Sequence, residues 1–480
     1  MPTPGERTSS DSEVSDSQLP GGNAKSRVAP AARLSLSRNG DRSCLRELDH
    51  GAHIVTGNAG DHPLIIQLLV QARQEPLAED FQSRLDEPNY RPGDRLLVRR
   101  GQTLIGHVHV AGHISWFESQ RIAIVKLEEF AMLPEHRDSS YDRELLAAAE
   151  SIATGEGAVL GLVHTDRPEW FARQGWSLLR GQGHTRASAR AVLAHLDAQE
   201  QTRRRRKTNV HVRTWRHFEL DQVRELYDRI AADLWGPLYR SEVCWQWLIG
   251  RKAQDQVLLA VQRGKGGPVT ALNGDGAGSE HAEEQAAGYA VVSGSCIVEM
   301  ITAPKQSAAR VQLLARACRE AMDRDHHSIS LYTPAADPLH ELLVTAGGAW
   351  IDAASNGPRW MVRLLSPERW IERCYPLWRH RARAADVPRP FELGLVTPEA
   401  TYHLTITRRS SRLEQSATLP PDQIYCDRPT FESLLTGNLA ILAAITQGKL
   451  RLSRPELAAP LAALFPARLF WQSPLELMRL

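Results

Sequence analysis

The stretch IAIVKLEEFAMLPEHRDSSYDRELLAAAESIATGEGAVLGLVHTDRPEWFARQGW, residues Ile122–Trp176, is the most informative part of the chain. Apolar runs bounded by Pro and Gly predict two strands in it, at Ile122–Met132 and at Ala158–Val163. A short helix is expected to begin at Pro168. The segment between the two strands has a different pattern.

That segment is predicted to form a polar turn at Pro134–Ser140 and a helix over Tyr141–Thr154. The helix prediction rests on four apolar residues at helical spacing, Leu145, Leu146, Ala149 and Ile152. The first-turn N–H groups of a helix have no partner inside the helix. A strand followed by such a turn is therefore suited to bind an anion such as phosphate.

The order M-L-P-E-H-R-D-S-S-Y-D-R-E-L-L resembles the acyl-CoA-binding motif of the GNAT N-acetyltransferases, V-x-P-x-x-R-G-x-G-x-G/A-x-x-L-L. The matching positions are Met132, Pro134, Arg137, Leu145 and Leu146. Asp138, Ser140 and Asp142 stand where that family prefers glycine, which lets the backbone approach the CoA pyrophosphate. The later T-D-R-P-E-W-F-A-R-Q-G-W is similar to the family's Y-x-x-x-G-F/Y segment, with Phe171 at the tyrosine position.

This resemblance implies acetyl-CoA as co-substrate and no metal. In the family, the backbone of the strand before the turn holds the pantetheine and polarises the thioester carbonyl. The implied cofactor-binding residues are Phe130, Ala131, Met132, Arg137, Asp138, Ser139, Ser140, Tyr141, Asp142 and Arg143.

Acetyl transfer to an amine requires loss of an amine proton, polarisation of the carbonyl and protonation of the leaving thiolate. Glu128 and Glu129 are the candidate bases, and the alternation of a strand predicts that they point to opposite faces. The resemblance implies a tyrosine as general acid where Phe171 stands. It also implies that the terminal carboxylate, here on Leu480, reaches the first domain's site.

The turn has an electrostatic disadvantage for binding CoA. A carboxylate about 5 Å from a phosphate charge costs roughly 3 kcal/mol at an effective dielectric constant of about 20. Asp138 and Asp142 can each impose this cost on the binding of CoA. Arg137 and Arg143 can offset it. We therefore expect weak binding of CoA.

The composition is that of an ordinary globular protein, and 480 residues suggest about three domains. Lys and Arg (58) nearly balance Asp and Glu (56), so no overall field favours nucleic acid or an anionic membrane. The scattered cysteines favour reduced thiols, and no secretory signal or membrane span is evident. We expect a cytoplasmic protein that acts on a small-molecule or peptidyl amine. The sequence is compatible with a monomer and with a homo-oligomer.

The order of elements predicts the domains. Residues 1–45 are polar and predict a disordered tail, and 46–200 predict a GNAT domain that binds acyl-CoA. A linker at 201–209 follows, whose basic run Arg203–Lys207 favours a solvated linker over contact with nucleic acid. At 210–366 the same order returns, with Lys305 at the position of Arg137, which indicates a second, degenerate GNAT domain.

The last segment, 367–480, differs in kind. Its strands, D-x-x-T-F-x-x-L-L-x-G from Asp427, and later G-K-L and L-F-P resemble sterol carrier protein domains, whose fold surrounds an apolar cavity. The alternative is a small α+β domain with a filled core. The predicted class is α/β (α+β): tandem GNAT acyl-CoA N-acyltransferase folds followed by a sterol-carrier-protein-like domain, the architecture of Eis-type acetyltransferases.

Two functions remain in competition. The first is an Eis-like N-acetyltransferase that transfers an acetyl group from acetyl-CoA to a primary amine. The second is a catalytically degenerate scaffold or binding protein, with an apolar ligand in the C-terminal domain. The missing glycines and Phe171 favour the scaffold, whereas Pro134, Arg137 and Gly175 favour the enzyme.

Three histidines, His107, His109 and His113, would share one face of a strand. A metal site is one interpretation, since imidazole is a common ligand. The favoured interpretation is that these histidines face solvent and bind no metal.

Overall fold

The computed structural model describes residues 44–72, 78–202, 209–263, 284–353 and 357–478. The predicted disordered tail, apart from Cys44 and Leu45, lies outside these residues. So do the basic run Arg203–Lys207 and the terminal residue Leu480.

The first segment contains the strands and helices that surround the predicted phosphate turn. Its strands are β1 (Cys44–Glu47), β2 (Ala52–Thr56), β3 (Arg95–Arg100), β4 (Thr103–Phe117), β5 (Gln120–Met132), β6 (Leu160–Thr165) and β7 (Ser177–Leu178). Its helices are α1 (His62–Gln71), α2 (Ala78–Leu85), α3 (Ser140–Gly155) and α4 (Pro168–Arg173). The strand, turn, helix and strand predicted from the motif are thus confirmed.

The middle segment repeats this order. Its strands are β8 (Gly183–Ser188), β9 (Val210–Thr214), β10 (Trp235–Leu238), β11 (Gln256–Arg263), β12 (Glu284–Ser293), β13 (Cys296–Thr302), β14 (Ser328–Leu331) and β15 (Ala349–Asp352). Its helices are α5 (Ala189–Thr202), α6 (Leu220–Ala231), α7 (Glu242–Gly250), α8 (Ser307–Asp323) and α9 (Pro338–Thr345). Helix α5 extends into the start of the predicted linker.

The last segment is a smaller mixed unit. It follows β16 (Arg359–Leu364), and its own strands are β17 (Phe391–Val396), β18 (Thr401–Ile406), β19 (Ser411–Gln415), β20 (Gln423–Tyr425) and β21 (Arg451–Leu452). Its helices are α10 (Pro367–Arg373), α11 (Tyr375–Ala384), α12 (Arg428–Leu435), α13 (Ile441–Thr446) and α14 (Ala458–Leu464).

The two large sheets exchange strands. The first sheet has the order β1-β2-β3-β4-β5-β6-β16-β7, with β10 paired to β4, so β16 and β10 reach it from the predicted second domain. The second sheet has the order β15-β8-β14-β13-β12-β11-β9, and β8 comes from the predicted first domain. The sheets therefore do not follow continuous stretches of chain.

The third sheet, of order β19-β18-β17-β20-β21, belongs to the C-terminal segment. Its inner residues, among them Leu393, Leu404 and Ile424, are fully buried. They pack in one apolar cluster that also contains Phe117 and Ile124 of the first sheet. A continuous apolar core thus joins the C-terminal segment to the sheet that carries the site.

Candidate functional site

The candidate site lies where β5 and β6 separate in the middle of the first sheet. These strands pair in parallel from Ile124 and Leu160 to Leu127 and Val163. Beyond that point β5 continues along β4, whereas β6 continues along β16. The separation opens a cleft beyond the carboxyl ends of two parallel strands, a common place for ligands in α/β proteins.

A cavity of about 400 Å³ occupies this cleft. Charged residues and apolar residues both line it. The lining residues are Arg84, Lys126, Leu127, Glu128, Glu129, Phe130, Val163, His164, Thr165, Asp166, Pro358, Trp360 and Leu477. Four distant parts of the chain, α2, the β5–β6 region, β16 and the C-terminal segment, therefore form one pocket.

A β-bulge in β5 shapes the cavity. His107 of β4 pairs with Ala131 of β5, but His109 pairs with Glu128, so β5 contains one extra residue. Glu129 absorbs it with a positive φ of 52°. The prediction that Glu128 and Glu129 point away from each other is wrong, because the bulge interrupts the alternation of the strand and both residues line the cavity.

Glu128 is surrounded by cationic groups. Its carboxylate lies 2.7 Å from Lys126 Nζ, 3.4 Å from His109 Nδ1 and 3.7 Å from Arg84 Nη1. Burial alone would raise its pKa, but Lys126 and the hydrogen bond with His109 hold the pKa well below its usual range. Glu128 is therefore ionised at neutral pH.

Glu129 is held in a similar way by another cation. Arg95 Nη1 donates to its Oε2 at 2.5 Å. Burial raises the pKa of Glu129, yet Arg95 outweighs it and lowers the pKa to about 2. Two ionised carboxylates suit the binding of a cationic amine better than the removal of a proton, since an effective general base has a pKa near the working pH.

Glu87 is a carboxyl that sequence reasoning missed. Burial, reinforced by the negative charge of Glu128, raises its pKa to about 7, although Lys126 opposes this. No local motif marks Glu87, Arg84, Lys126 or Trp360. Only the packing of α2 and β16 against the cleft brings Arg84, Lys126 and Trp360 together.

The predicted phosphate turn has the expected backbone. Residues Pro134–His136 form a short 3-10 turn, and Asp138 has a positive φ of 56°, the conformation that favours glycine. Ser139 caps α3, its Oγ accepting from the N–H of Tyr141 at 3.2 Å. Arg137 is directed away from the turn, since its Nη2 donates to the carbonyl of Ala72 at 2.5 Å.

The turn already binds a carboxylate of its own chain. Asp142 Oδ2 accepts from the backbone N–H of Asp138 at 3.2 Å and from Arg167 Nη2 at 2.9 Å. Arg167 Nη2 also contacts Asp138 Oδ1 at 3.0 Å. Burial raises the pKa of Asp142, which Arg167 counteracts. A backbone donor that an anion would use is thus occupied.

The other residues predicted to bind the cofactor are either buried in the core or exposed at the surface. Ala131 and Met132 are buried, and Tyr141 is buried with its hydroxyl donating to the carbonyl of Asp49 at 3.0 Å. Ser140 and Arg143 are exposed beside the turn. Among the residues predicted to bind the cofactor, Phe130 also lines the cavity.

Phe171 lies outside the cavity lining. It is 1% exposed and its ring packs against Phe130, Trp170 and Trp176 with centroid distances of 5.6, 4.9 and 5.6 Å. Phe171 is therefore a residue of the apolar core. Leu480 lies outside the described residues, although Leu477 lines the cavity.

Several solved structures match this chain in fold. A GCN5-related N-acetyltransferase from Anabaena variabilis matches with a TM-score of 0.65 at 13% identity, over 88% of this chain and 99% of that one. One from Kribbella flavida matches at 0.62 and 16%, over 88% and 97%. Eis1 from Mycobacterium abscessus matches at 0.58 and 14%, over 88% and 99%.

This chain has the fold of the GNAT acetyltransferases. The predicted GNAT, Eis-like fold is thereby confirmed, and at these identities the likeness concerns the fold alone. No protein-family model matches the chain, and no curated protein matches it.

In the second GNAT sheet, the chain's own side chains fill the corresponding cleft. Parallel pairing of β13 and β14 ends at Ile297 and Leu331. Beyond it, Glu299 forms a fully buried ion pair with Arg240 at 2.7 Å and accepts from the hydroxyl of Tyr289 at 2.6 Å. The C-terminal segment adds Glu476, 2.9 Å from Arg240.

The alignment of Lys305 with Arg137 is wrong by one residue. Lys305 has a positive φ of 66° and lies two residues before α8, whereas Asp138, with φ 56°, lies two residues before α3. Lys305 therefore corresponds to Asp138. Leu313 and Leu146 each follow the first residue of their helix by six positions.

The prediction that the histidines of β4 face solvent is wrong. His107 and His109 are buried, and His107 lies 3.0 Å from both Arg95 Nη1 and the carbonyl of Glu129. Within the described ranges, no group of three or more His, Cys, Asp or Glu side chains is placed to hold a metal ion. Among the same residues, no helix is both long and apolar enough to cross a bilayer.

Proposed function

We propose that the protein is an N-acetyltransferase that transfers an acetyl group from acetyl-CoA to a primary amine in the cleft between β5 and β6. The observation that carries this proposal is the cavity at the strand separation, lined by the bulged segment Glu128–Phe130. In the reaction, the amine nitrogen bonds to the carbonyl carbon, the C–S bond breaks, the amine loses a proton and the thiolate gains one.

The residues of the cleft suit these steps. The carboxylates of Glu128 and Glu129 would accept hydrogen bonds from the amine beside the cations that already pair with them, and Trp360, Phe130 and Leu477 would pack against its apolar part. Glu87, whose pKa is raised to about 7 by burial and by the charge of Glu128, is the candidate to accept the amine proton. The backbone of Phe130–Met132 would polarise the thioester carbonyl.

The second candidate is a GNAT scaffold without turnover. It is favoured by the carboxylate of Asp142, which occupies the N–H of Asp138 that a pyrophosphate would need. In this second proposal, the C-terminal domain resembles sterol carrier proteins and binds an apolar ligand. The buried residues of the third sheet favour a filled core there.

Calorimetric titration with acetyl-CoA, followed by an assay of CoA release with diamines, aminoglycosides and lysine peptides, separates the candidates. We expect weak binding and slow release of CoA with at least one cationic amine. Glu128→Gln should lower kcat/KM for that amine about tenfold or more, because a charged contact is lost. Glu225→Gln, an exposed carboxylate on α6, is the matched control. Binding of acetyl-CoA without release for any amine would establish the scaffold.

A further inference from the structure

A second cavity, of about 440 Å³, lies in the C-terminal domain and is lined almost entirely by cationic side chains. The lining residues are Pro376, Arg379, His380, Arg383, Arg389 and Arg408. Helix α11 supplies the first four, at positions i, i+3, i+4 and i+7, which share one helix face. Arg389 comes from the segment after α11, and Arg408 from the turn between β18 and β19.

Helix α11 divides its arginines between two tasks. Arg381 is buried, and its Nη2 donates at 2.6 Å to Glu118 Oε2 in the turn between β4 and β5, which anchors the C-terminal domain. Arg379 and Arg383 are exposed and line the cavity. They are four residues apart, and like charges at that spacing repel each other.

No carboxylate of the described residues pairs with the arginines of this cavity. Within the described part of the chain, none of its four arginines has an acidic oxygen within 4.0 Å, and its lining contains no Asp or Glu. Two exposed arginines elsewhere in this domain do have such partners: Arg412 lies 2.7 Å from Glu414, and Arg454 lies 2.6 Å from Asp422. The charge of the cavity is therefore uncompensated.

The cavity is held by a firm framework. The hydroxyl of Tyr375, at the start of α11, donates to the carbonyl of Arg408 at 2.6 Å. The turn that carries Arg408 is closed by Thr407, whose N–H donates to the carbonyl of Ser410 at 2.8 Å and whose Oγ1 accepts from the N–H of Ser410 at 2.9 Å. These bonds fix the backbone of Arg408 relative to the start of α11, which lowers the ordering cost of binding.

We infer that this cavity binds a small anion with several adjacent phosphate groups, such as a polyphosphate or the polyphosphate part of a nucleotide. Guanidinium groups bind phosphate oxygens in pairs of parallel hydrogen bonds, and four of them exceed what a single carboxylate requires. The volume suits a small ligand. This site is separate from the acetyl-transfer cleft and does not depend on the proposed activity.

The test is calorimetric titration of the full chain with inorganic tripolyphosphate and with adenosine triphosphate. We expect both to bind, and the double variant Arg379→Gln, Arg383→Gln to weaken the affinity about tenfold or more, since each loses charge-assisted hydrogen bonds. The matched control is Arg412→Gln, Arg454→Gln, which removes the same charge from the same domain outside the cavity. It should bind as the unmodified protein does.

Equal losses in both double variants would show nonspecific attraction and overturn the site. Unchanged affinity in the cavity variant would also overturn it, provided that its thermal unfolding matches that of the control. A lipid headgroup is the other source of clustered phosphates. Cosedimentation with phosphatidylcholine vesicles that contain phosphatidylinositol bisphosphate, together with no binding of tripolyphosphate, would overturn the small-anion site in favour of a membrane surface.

Discussion

Asp142 illustrates, at the scale of one residue, how a GNAT turn can be altered without losing its backbone. Its carboxylate accepts the Asp138 N–H and the Arg167 guanidinium, and its Oδ1 is buried without a hydrogen-bond partner among the described residues. The carboxylate takes the place that an anionic ligand would occupy. Arg167 compensates the charge of this carboxylate through its contact at 2.9 Å.

We predict that Asp142→Asn tightens the binding of acetyl-CoA. Removing a charge about 5 Å from a phosphate is worth up to roughly 3 kcal/mol, and the freed Arg167 can then contact the pyrophosphate. A gain of about tenfold in calorimetric affinity is expected. Asp138→Asn, at an exposed carboxylate of the same turn, should have a smaller effect. If neither variant changes the affinity, the turn does not face the pyrophosphate.

Phe171 is a residue for which the structure changes the expectation. A tyrosine here would place its hydroxyl in an aromatic cluster where Phe171 is 1% exposed. An unsatisfied buried hydroxyl costs about 1–3 kcal/mol. We therefore predict that Phe171→Tyr lowers the free energy of unfolding by that amount and does not raise the rate of CoA release. A faster variant of normal stability would show that the ring edge reaches the cleft.

At the scale of an element, β4 carries histidines whose burial makes stability depend on pH. Burial and the charge of Lys126 lower the pKa of His113 from 6.5 to about 3, and burial and Arg95 do the same to His107. Between these values the unfolded chain binds more protons than the folded one. Stability from each histidine is therefore present above pH 6.5 and is lost as the pH falls toward 3.

The expected slope is about 1.4 kcal/mol per pH unit for each histidine. We predict that His113→Gln makes the pH dependence shallower by about this amount when urea unfolding is compared between roughly pH 4 and 5.5, where the unfolded histidine is protonated. His327→Gln, at an exposed histidine, should leave the slope unchanged. An equal slope in both variants would mean that folding does not lower the pKa of His113.

At the scale of the whole molecule, strand exchange joins the two large sheets. Strand β16 pairs with β6 and β7 and contributes Met361, Val362 and Leu364 to the cores around the first sheet. A fragment of residues 44–202 lacks this strand and exposes the edge of β6. Losing large buried apolar side chains costs about 2–5 kcal/mol each.

We predict that the fragment 44–202 does not unfold cooperatively by itself, and that co-expression with 209–480 restores a cooperative complex. Circular dichroism melting of the fragment and of the purified pair measures this. A fragment that melts cooperatively alone would show that the first half is independent of β16, in agreement with the linear domain boundary at 46–200.

Local pattern determined the elements around the motif. The strand, turn, helix and strand from Ile122 to Thr165 follow from which residues alternate or recur every three to four positions, and from proline and glycine at their ends. These signals depend on neighbours in sequence, so they could be predicted without knowing the partner of any strand. The repeated order in the second half was recognisable for the same reason.

Tertiary structure alone decided the site. The bulge at Glu129 is a property of the pairing of β5 with β4, and it turned two carboxylates toward one cavity against the local alternation. Arg167 meets Asp142, and Trp360 meets Lys126, only because distant segments pack together. The balanced overall charge likewise conceals the arginine cavity, because a sum over the chain does not record that Arg408 lies beside α11. Contacts between distant residues are fixed by packing and strand order, which no short sequence pattern encodes.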